Sequence, residues 1–255
     1  MKSLVRKITD RIAYAFGYVR KSSVNKQPVI DVYNKNNLLF IFYNVLKSAG
    51  FIPRHIVDVG ANHGSWTREA LQYFPNCRFT LLEPQANMRA SVEDLLQHNS
   101  LITFHAVGAG KTKGTFNFTI VDRDDSCSFA YTIEEAAKNN FQQIQVPVVT
   151  LNEFIVEQQL PIPDVIKIDA EGLDLDVLQG ANNFFGKTEI FMVEAGIVNK
   201  QFSNSFLNVI NFMDENGYRL FDITDLNRPF NPAVLWLTEL AFVKKNGMLD
   251  SFKWI

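Results

Sequence analysis

Cysteine is almost missing from this chain. Cys77 and Cys127 are the two thiols among 255 residues, too few and too far apart for the disulfide frameworks that staple small secreted domains. Also lacking is any apolar run near the roughly 20 residues that a membrane-spanning helix needs. The first segment is broken throughout by Lys and Arg, unlike the apolar stretch of a secretory leader. These absences lead to the expectation of an intracellular, cytoplasmic protein. Internal repeats and low-complexity tracts are missing too, which removes solenoids and propellers from consideration. What is present, 47% hydrophobic and 20% charged residues, suits one ordinary soluble domain with a small appendage, long enough to bury a sizeable core.

The net charge of −2 hides an asymmetry: residues 1–26 carry Lys2, Arg6, Lys7, Arg11, Arg20, Lys21 and Lys26 against Asp10 alone, a net of +6 that leaves −8 for the rest. A body of that sign repels phosphate backbones, so no nucleic acid is expected as a partner. Leu4, Val5, Ile8, Ile12, Phe16 and Val19 recur at helical spacing, which makes residues 1–36 a basic amphipathic arm. The arm either packs on its own domain or a second subunit, or touches a membrane surface or an anionic ligand. Residues 37–255 form the main domain.

From Asn37 to Ala49 the apolar residues fall on one helical stripe that stops at Gly50, a usual terminator. Strand and helix patterns then alternate. "HIVDVG" reads as a short buried strand, "SWTREALQYF" as a helix, "RFTLLEP" as a strand, "ANMRASVEDLLQH" as a helix and "ITFHAVG" as a strand, a succession that predicts a parallel sheet flanked by helices. Over residues 109–145 the period changes: "GTFNFTIV" and "IQVPVVT" are extended and flank the polar "DRDDSCS". That is an antiparallel insertion over the sheet edge or the site. "LNEFIVEQQ", "DVIKIDAEG", "LDVLQGANNFF" and "KTEIFMVEAG" resume helix, strand, helix, strand. After the "SFLNVINFMDENG" helix, "YRLFDIT" and "VLWLTELAFVKK" supply a hairpin-like antiparallel edge. The fold class is α/β, a mostly parallel sheet with helices on both faces.

In such sheets ligands lie outside the carboxyl ends of the strands, where strand order reverses. The first strand ends Val57, Asp58, Val59, Gly60 and turns through Ala61, Asn62, His63 and Gly64. Gly60 lets the backbone come close to a ligand, and Gly64 opens the helix. A dinucleotide fingerprint requires Gly-x-Gly-x-x-Gly. Asn62 and Ser65 stand at its second and third glycine positions, so the pyrophosphate cradle is missing. The remaining acid-x-Gly-x-x-x-Gly is the pattern expected for S-adenosylmethionine, whose ammonium Asp58 attracts directly or through water. Glu83 closes the next strand about 20 residues on, where a carboxylate accepts from both ribose hydroxyls. Dinucleotide enzymes use the same arrangement, so Glu83 supports an adenosine cofactor without choosing between the two. At the third strand's end, His105, Ala106, Val107 and Gly108 flank the adenine by position. Either acid alone reads equally as a helix cap or a solvated strand end. It is their connection through the Gly60–Gly64 turn that carries the cofactor expectation.

A second cluster, Lys167, Asp169, Glu171 and Asp174, sets carboxylates at the rim of the same crevice. Methyl transfer is an in-line displacement, and a hydroxyl acceptor must lose its proton as the bond forms, so a nearby carboxylate serves as general base. Asp169 or Glu171 fills that role. The Asn/Asp-Pro-Pro-aromatic run of many amino-group methylases is absent here, and Asn231-Pro232 lies in a downstream turn; oxygen is therefore the favoured acceptor. Glu194 is a further rim carboxylate, for substrate contact or for pairing with Lys167. His63 and His105 are weaker candidates as bases. Asp169, Glu171 and Asp174 could bind a divalent cation, but nothing in their spacing demands one and no metal is expected. Trp66 and Phe74 read as core. The loop "DRDDSCSF" is either a lid or a plain surface loop.

With these residues in view, the chain resembles the FkbM-family methyltransferases. "VDVGANHGSWT", "LLEPQ", "VPVVTLNEFI", "VIKIDAEGLDLDVLQGA", "IFMVEAG" and "LAFVKK" follow the family's order from about residue 55 to 245. The resemblance implies a Rossmann-like methyltransferase fold with a seven-stranded sheet. It also implies an S-adenosylmethionine enzyme that methylates hydroxyls of small molecules such as sugars, glycans or polyketide products. It maps Asp58, Gly60, Asn62 and Gly64 to the cofactor turn, Glu83 to the ribose, and Lys167, Asp169 and Glu171 to the fourth-strand motif, with Val107 beside the adenine. Catalytic roles for Lys167, Asp169 and Glu171 are inferred, and Asp174 stands in for an acid the family places slightly differently. The readings it competes with are a nicotinamide-dependent oxidoreductase on the same type of sheet and a non-catalytic adapter.

Overall fold

A computed structural model of the chain describes residues 37–123, 126–198 and 203–253; the basic arm expected over residues 1–36 lies outside them. Helix α1 (Leu38–Ser48) starts where Asn37 Oδ1 accepts from the Phe40 amide at 3.2 Å, satisfying one of the orphan first-turn donors. Strand β1 (His55–Val59) leads through α2 (Ser65–Tyr73) to β2 (Arg78–Leu82). A 3₁₀ turn (Ala86–Val92) and α3 (Glu93–His98) lead on to β3 (Ile102–His105). The insertion follows as β4 (Gly108–Ala109), β5 (Gly114–Ile120), α4 (Ile133–Lys138) and β6 (Gln142–Val149). Helix α5 (Leu151–Glu157), β7 (Val165–Ile168), α6 (Asp174–Gln179) and β8 (Ile190–Gly196) come next. Helix α7 (Phe206–Glu215), β9 (Tyr218–Asn227) and β10 (Leu237–Lys244) complete the chain.

The main sheet has seven strands in the order β3-β2-β1-β7-β8-β10-β9, the Rossmann-like methyltransferase arrangement expected from the sequence. Strands β3, β2, β1, β7 and β8 are parallel, and β10 is antiparallel to both of its neighbours. The hairpin at this end is as expected, but its antiparallel member is one strand in from the edge, and β9 runs with the parallel set. Strand order reverses between β1 and β7, which places the ligand crevice at their carboxyl ends.

Because side chains alternate across a strand, two cores form. Val57, Val59, Ile166, Ile168, Phe191, Val193, Leu240 and Phe242 face α5, α6 and α7. Ile56, Phe79, Leu81, Val165, Ile190, Met192, Ala241 and Val243 face α1 and α2. Parity also puts Asp58, Lys167, Glu194 and Glu239 on this second face, so charges replace apolar residues there near the crevice. The insertion is a three-stranded sheet ordered β4-β6-β5, with β4 parallel and β5 antiparallel to β6. Phe118, Cys127 and Val146 form its small core.

Candidate active site

The turn after β1 is built around a close approach between chains. Gly60 has φ +73, and an added Cβ would lie 2.9 Å from the Asp169 carbonyl carbon, inside the usual carbon–carbon separation of about 3.5–4.0 Å. The glycine expected to admit a ligand therefore first admits the end of β7. Gly64, at φ +71, caps α2 and has room for no Cβ because Val92 Cγ1 would be 2.8 Å away. Asn62 occupies the left-handed region at φ +45, and its amide donates to Glu83 Oε2 at 2.9 Å.

Glu83 is 3% exposed and lines the cavity described below. Its Oε1 accepts from the Gln85 amide at 2.9 Å, so backbone donors on both sides fix the carboxylate. Burial pushes its pKa up, against the lowering effect of these amides. Gln85 Nε2 adds a longer bond to Oε1 at 3.4 Å, so of the about four acceptor positions of a carboxylate the Oε2 side keeps room for a ribose hydroxyl.

Asp58, expected from the sequence to face the cofactor, lines neither of the two cavities described below. It is 0% exposed; its Oδ2 accepts from Thr67 Oγ1 at 2.6 Å and its Oδ1 lies 3.5 Å from Lys167 Nζ. Asp58 is the fourth of the five β1 residues, and its parity turns it under α2 against Thr67. Burial raises its pKa, opposed by Lys167 and Thr67. Lys167 Nζ also lies 3.2 Å from Asp169 Oδ2 and 3.5 Å from the Gly60 carbonyl oxygen. Burial works against the lysine's charge, but Asp169, Asp58 and Glu239 outweigh it and hold its pKa raised. The ammonium is thus a fixed hub that orients Asp169.

Two cavities meet at Asp169. The first, of about 590 Å³ including its open mouth, is lined by Gly60, Asn62, Glu83, Val107, Asp169 and Glu171, with Phe118, Cys127 and Phe129 from the insertion as an apolar wall. The second, about 1300 Å³ by the same measure, is lined by Gly60, Asn62, Trp66, Lys167, Asp169, Glu194, Asp225 and Glu239 among others. Cys127 and Phe129 of the "DRDDSCSF" stretch thus belong to the site, and Ser128 Oγ donates to the Glu171 carbonyl at 2.9 Å. Glu171 adopts φ +48, a left-handed conformation that costs a non-glycine residue about 1–2 kcal/mol.

Asp174 is withdrawn from chemistry. Fully buried, it accepts from the amides of Ala170 at 3.0 Å and Gly172 at 3.3 Å and from Asn204 Nδ2 at 2.7 Å. It braces the Glu171 turn and is not free to serve a cation. Burial lifts its pKa to about 7. Among the described residues, no group of three or more His, Cys, Asp or Glu is arranged to hold a metal ion. His105 packs edge-on against Phe154 at 4.9 Å, and His63, which lines the second cavity, has Nδ1 2.9 Å from Ser91 Oγ. No helix among the described residues is long and apolar enough to cross a membrane.

The sequence reading missed Thr67, Asp225, Glu239 and the aromatic wall. Glu239 did leave a trace, a lone acid inside the apolar "LTELAFV". Asp225 is brought beside it only by the β9–β10 ladder.

This donor set suits an adenosyl cofactor, with a fixed carboxylate for the ribose, an apolar slot for the base and a glycine turn between them. Comparison with known families decides the matter, since the methyltransferase FkbM domain matches residues 58–220. The chain belongs to the FkbM methyltransferase family. S-adenosylmethionine is accordingly its cofactor, which displaces the nicotinamide reading. Among curated proteins no match was found. Solved structures similar in fold include a precorrin-6y C5,15-methyltransferase from Geobacter metallireducens, 14% identical over 83% of this chain and 92% of that one, with a TM-score of 0.45. Another is a 1,6-didemethyltoxoflavin-N1-methyltransferase from Burkholderia thailandensis, 11% identical over 96% and 89%, TM-score 0.47. Similarity this low says nothing about what the FkbM protein methylates.

Proposed function

We propose that this FkbM-family protein is an O-methyltransferase acting on a hydroxyl of a small molecule of the sugar, glycan or secondary-metabolite kind. The observation that carries the reading is the position of Asp169, which alone among the expected catalytic carboxylates lines both cavities. Glu171 lines the first cavity only.

In this reading Glu83 would hold the ribose, Val107, Phe118 and Phe129 would receive the adenine, and the Gly60–Asn62 turn would hold the amino-acid tail. When bound, the sulfonium cofactor supplies an electrophilic methyl group. Asp169 accepts the proton released by the acceptor hydroxyl, and Lys167, 3.2 Å away, keeps the carboxylate aimed. Positioning supplies most of the acceleration, with the base contributing about 10²- to 10⁴-fold. Asp58 acts at one remove, through Lys167.

The test is incubation with methyl-labelled cofactor and glycan or metabolite libraries, followed by mass identification of the product and of the methylated atom. A methyl ether supports the reading. A methyl on carbon or nitrogen overturns the oxygen assignment, and a protein that binds the cofactor but labels nothing revives the non-catalytic adapter.

A further inference from the structure

The second cavity has a charge pattern that the methyl-transfer reading does not require. Asp169 closes β7, and Glu194, Glu239 and Asp225 follow on the next three strands, with Glu194 opposite Glu239 and Glu239 opposite Asp225 in the ladders. These four acids line one cleft, and Glu69 of α2 lines it as well. Among the described residues that line it, Lys167 is the one Lys or Arg, and its ammonium is already shared between Asp58 and Asp169.

We propose that this cleft receives an acceptor bearing ammonium groups on a hydroxylated frame, an amino sugar in chemical class, and selects it against neutral and phosphorylated counterparts. The proposal rests on the methyl-transfer reading and names its substrate class.

Two polar atoms of residues on the cleft wall have no partner among the described residues and call for complementary chemistry. Glu194 Oε2 is buried without a hydrogen bond, and so is the indole Nε1 of Trp66. An ammonium donates to the first, and a hydroxyl oxygen accepts from the second. A neutral polyol could satisfy the indole, but it would leave the row of acids facing one another without a countercharge. A phosphate would add to the repulsion.

Burial, more than any neighbouring charge, raises the pKa of the wall carboxylates, so a cation bound among them would also favour their ionised form. Burial, then Asp169, Asp174 and Glu171, push Glu194 well up. Burial lifts Glu239 to about 7, opposed by Lys167 and Thr224. Burial raises Glu69 and, with help from Asp169, Asp225.

The cofactor's own ammonium does not account for the row. Neighbouring strands lie about 4.8 Å apart, so the acids extend about 14 Å from β7 to β9. A single amino-acid tail lying over Gly60 would meet one end of it.

The test uses the full-length protein saturated with S-adenosylhomocysteine. A glucosamine trisaccharide, its N-acetylated counterpart and glucose 6-phosphate are titrated by calorimetry at two salt concentrations. One charge-assisted hydrogen bond corresponds to about 10- to 100-fold in affinity, so the free-amine trisaccharide is expected to bind tighter than its N-acetylated form by at least that lower factor and to weaken with salt. Glu194→Gln and Glu239→Gln, each near-isosteric, should erase most of that preference; Asp225→Asn, nearer the rim, should reduce it. Equal or tighter binding of the neutral or phosphorylated probe overturns the proposal, as does binding of none. It also fails if the Gln variants weaken S-adenosylhomocysteine instead of the trisaccharide. A wild-type protein that does not bind S-adenosylhomocysteine overturns the donor-site reading itself, which separates the two failures.

Discussion

Replacing Gly60 by alanine tests the geometry on which the site depends, and two separate effects set its size. Gly60 has φ +73, where an L side chain costs about 1–2 kcal/mol. The new Cβ would also sit 2.9 Å from the Asp169 carbonyl carbon and closer still to its oxygen. Ordinary carbon–carbon contact begins near 3.5 Å, so the turn and the end of β7 must part by more than about half an ångström. Forced displacement of this kind adds about 1–3 kcal/mol. Since misplacement by about 1 Å can cost 10²-fold in rate, Gly60→Ala should slow turnover by about 10- to 100-fold. Gly186 is the control: it has φ +77 but nothing within 4 Å of an added Cβ. Gly186→Ala should therefore show the conformational cost alone. Urea midpoints and S-adenosylhomocysteine calorimetry on both variants separate the contributions. If Gly60→Ala matches wild type, or Gly186→Ala loses cofactor affinity equally, the close approach does not organise the site.

Lys167→Met should destabilise the fold by about 3–5 kcal/mol, because it strands Asp58 in the core, and Asp58→Asn in the same chain should restore much of the loss; a double variant as unstable as the single one contradicts this. Asp169→Asn should lower turnover by about 10²- to 10⁴-fold while cofactor binding, read by calorimetry, stays within a few-fold. Glu171→Ala should act mainly on cofactor affinity, and a pure rate effect there would return Glu171 to the role of base. Stability should also depend on pH. Burial lifts Glu239 from 4.5 to about 7, so between those values the folded chain binds more protons than the unfolded one. Stability then falls as pH rises through that window and levels off above it, by up to about 3 kcal/mol for this one group. Glu239→Gln should flatten the urea-midpoint profile over that range, and an unchanged slope would contradict the assignment.

The alternation of short apolar strands with helices was enough to read the parallel sheet, because strands buried on both faces leave continuous apolar runs such as residues 190–193 of β8. The Gly60–Gly64 turn and Glu83 were legible for a related reason: the ligand end of β1 needs residue types that a core strand does not. The burial of Asp58 under α2 was not legible, since its place next to the turn resembles a ligand contact. The acid row was only partly legible. Glu194, Glu239 and Asp225 come from strands that neighbour in the sheet but are far apart in the chain, so sequence spacing carries no mark of their meeting. The apolar wall of the cofactor cavity was hidden likewise, because Phe118, Cys127 and Phe129 reach it only through the folding of the insertion.

The most direct measurement is a crystal structure of the protein with S-adenosylhomocysteine. The account expects a ribose hydroxyl on the Glu83 carboxylate, the adenine against Val107 and Phe129, and the sulfur facing Asp169 where the two cavities join. A nucleoside bound elsewhere, or one seated in the cavity without touching Glu83, would contradict it.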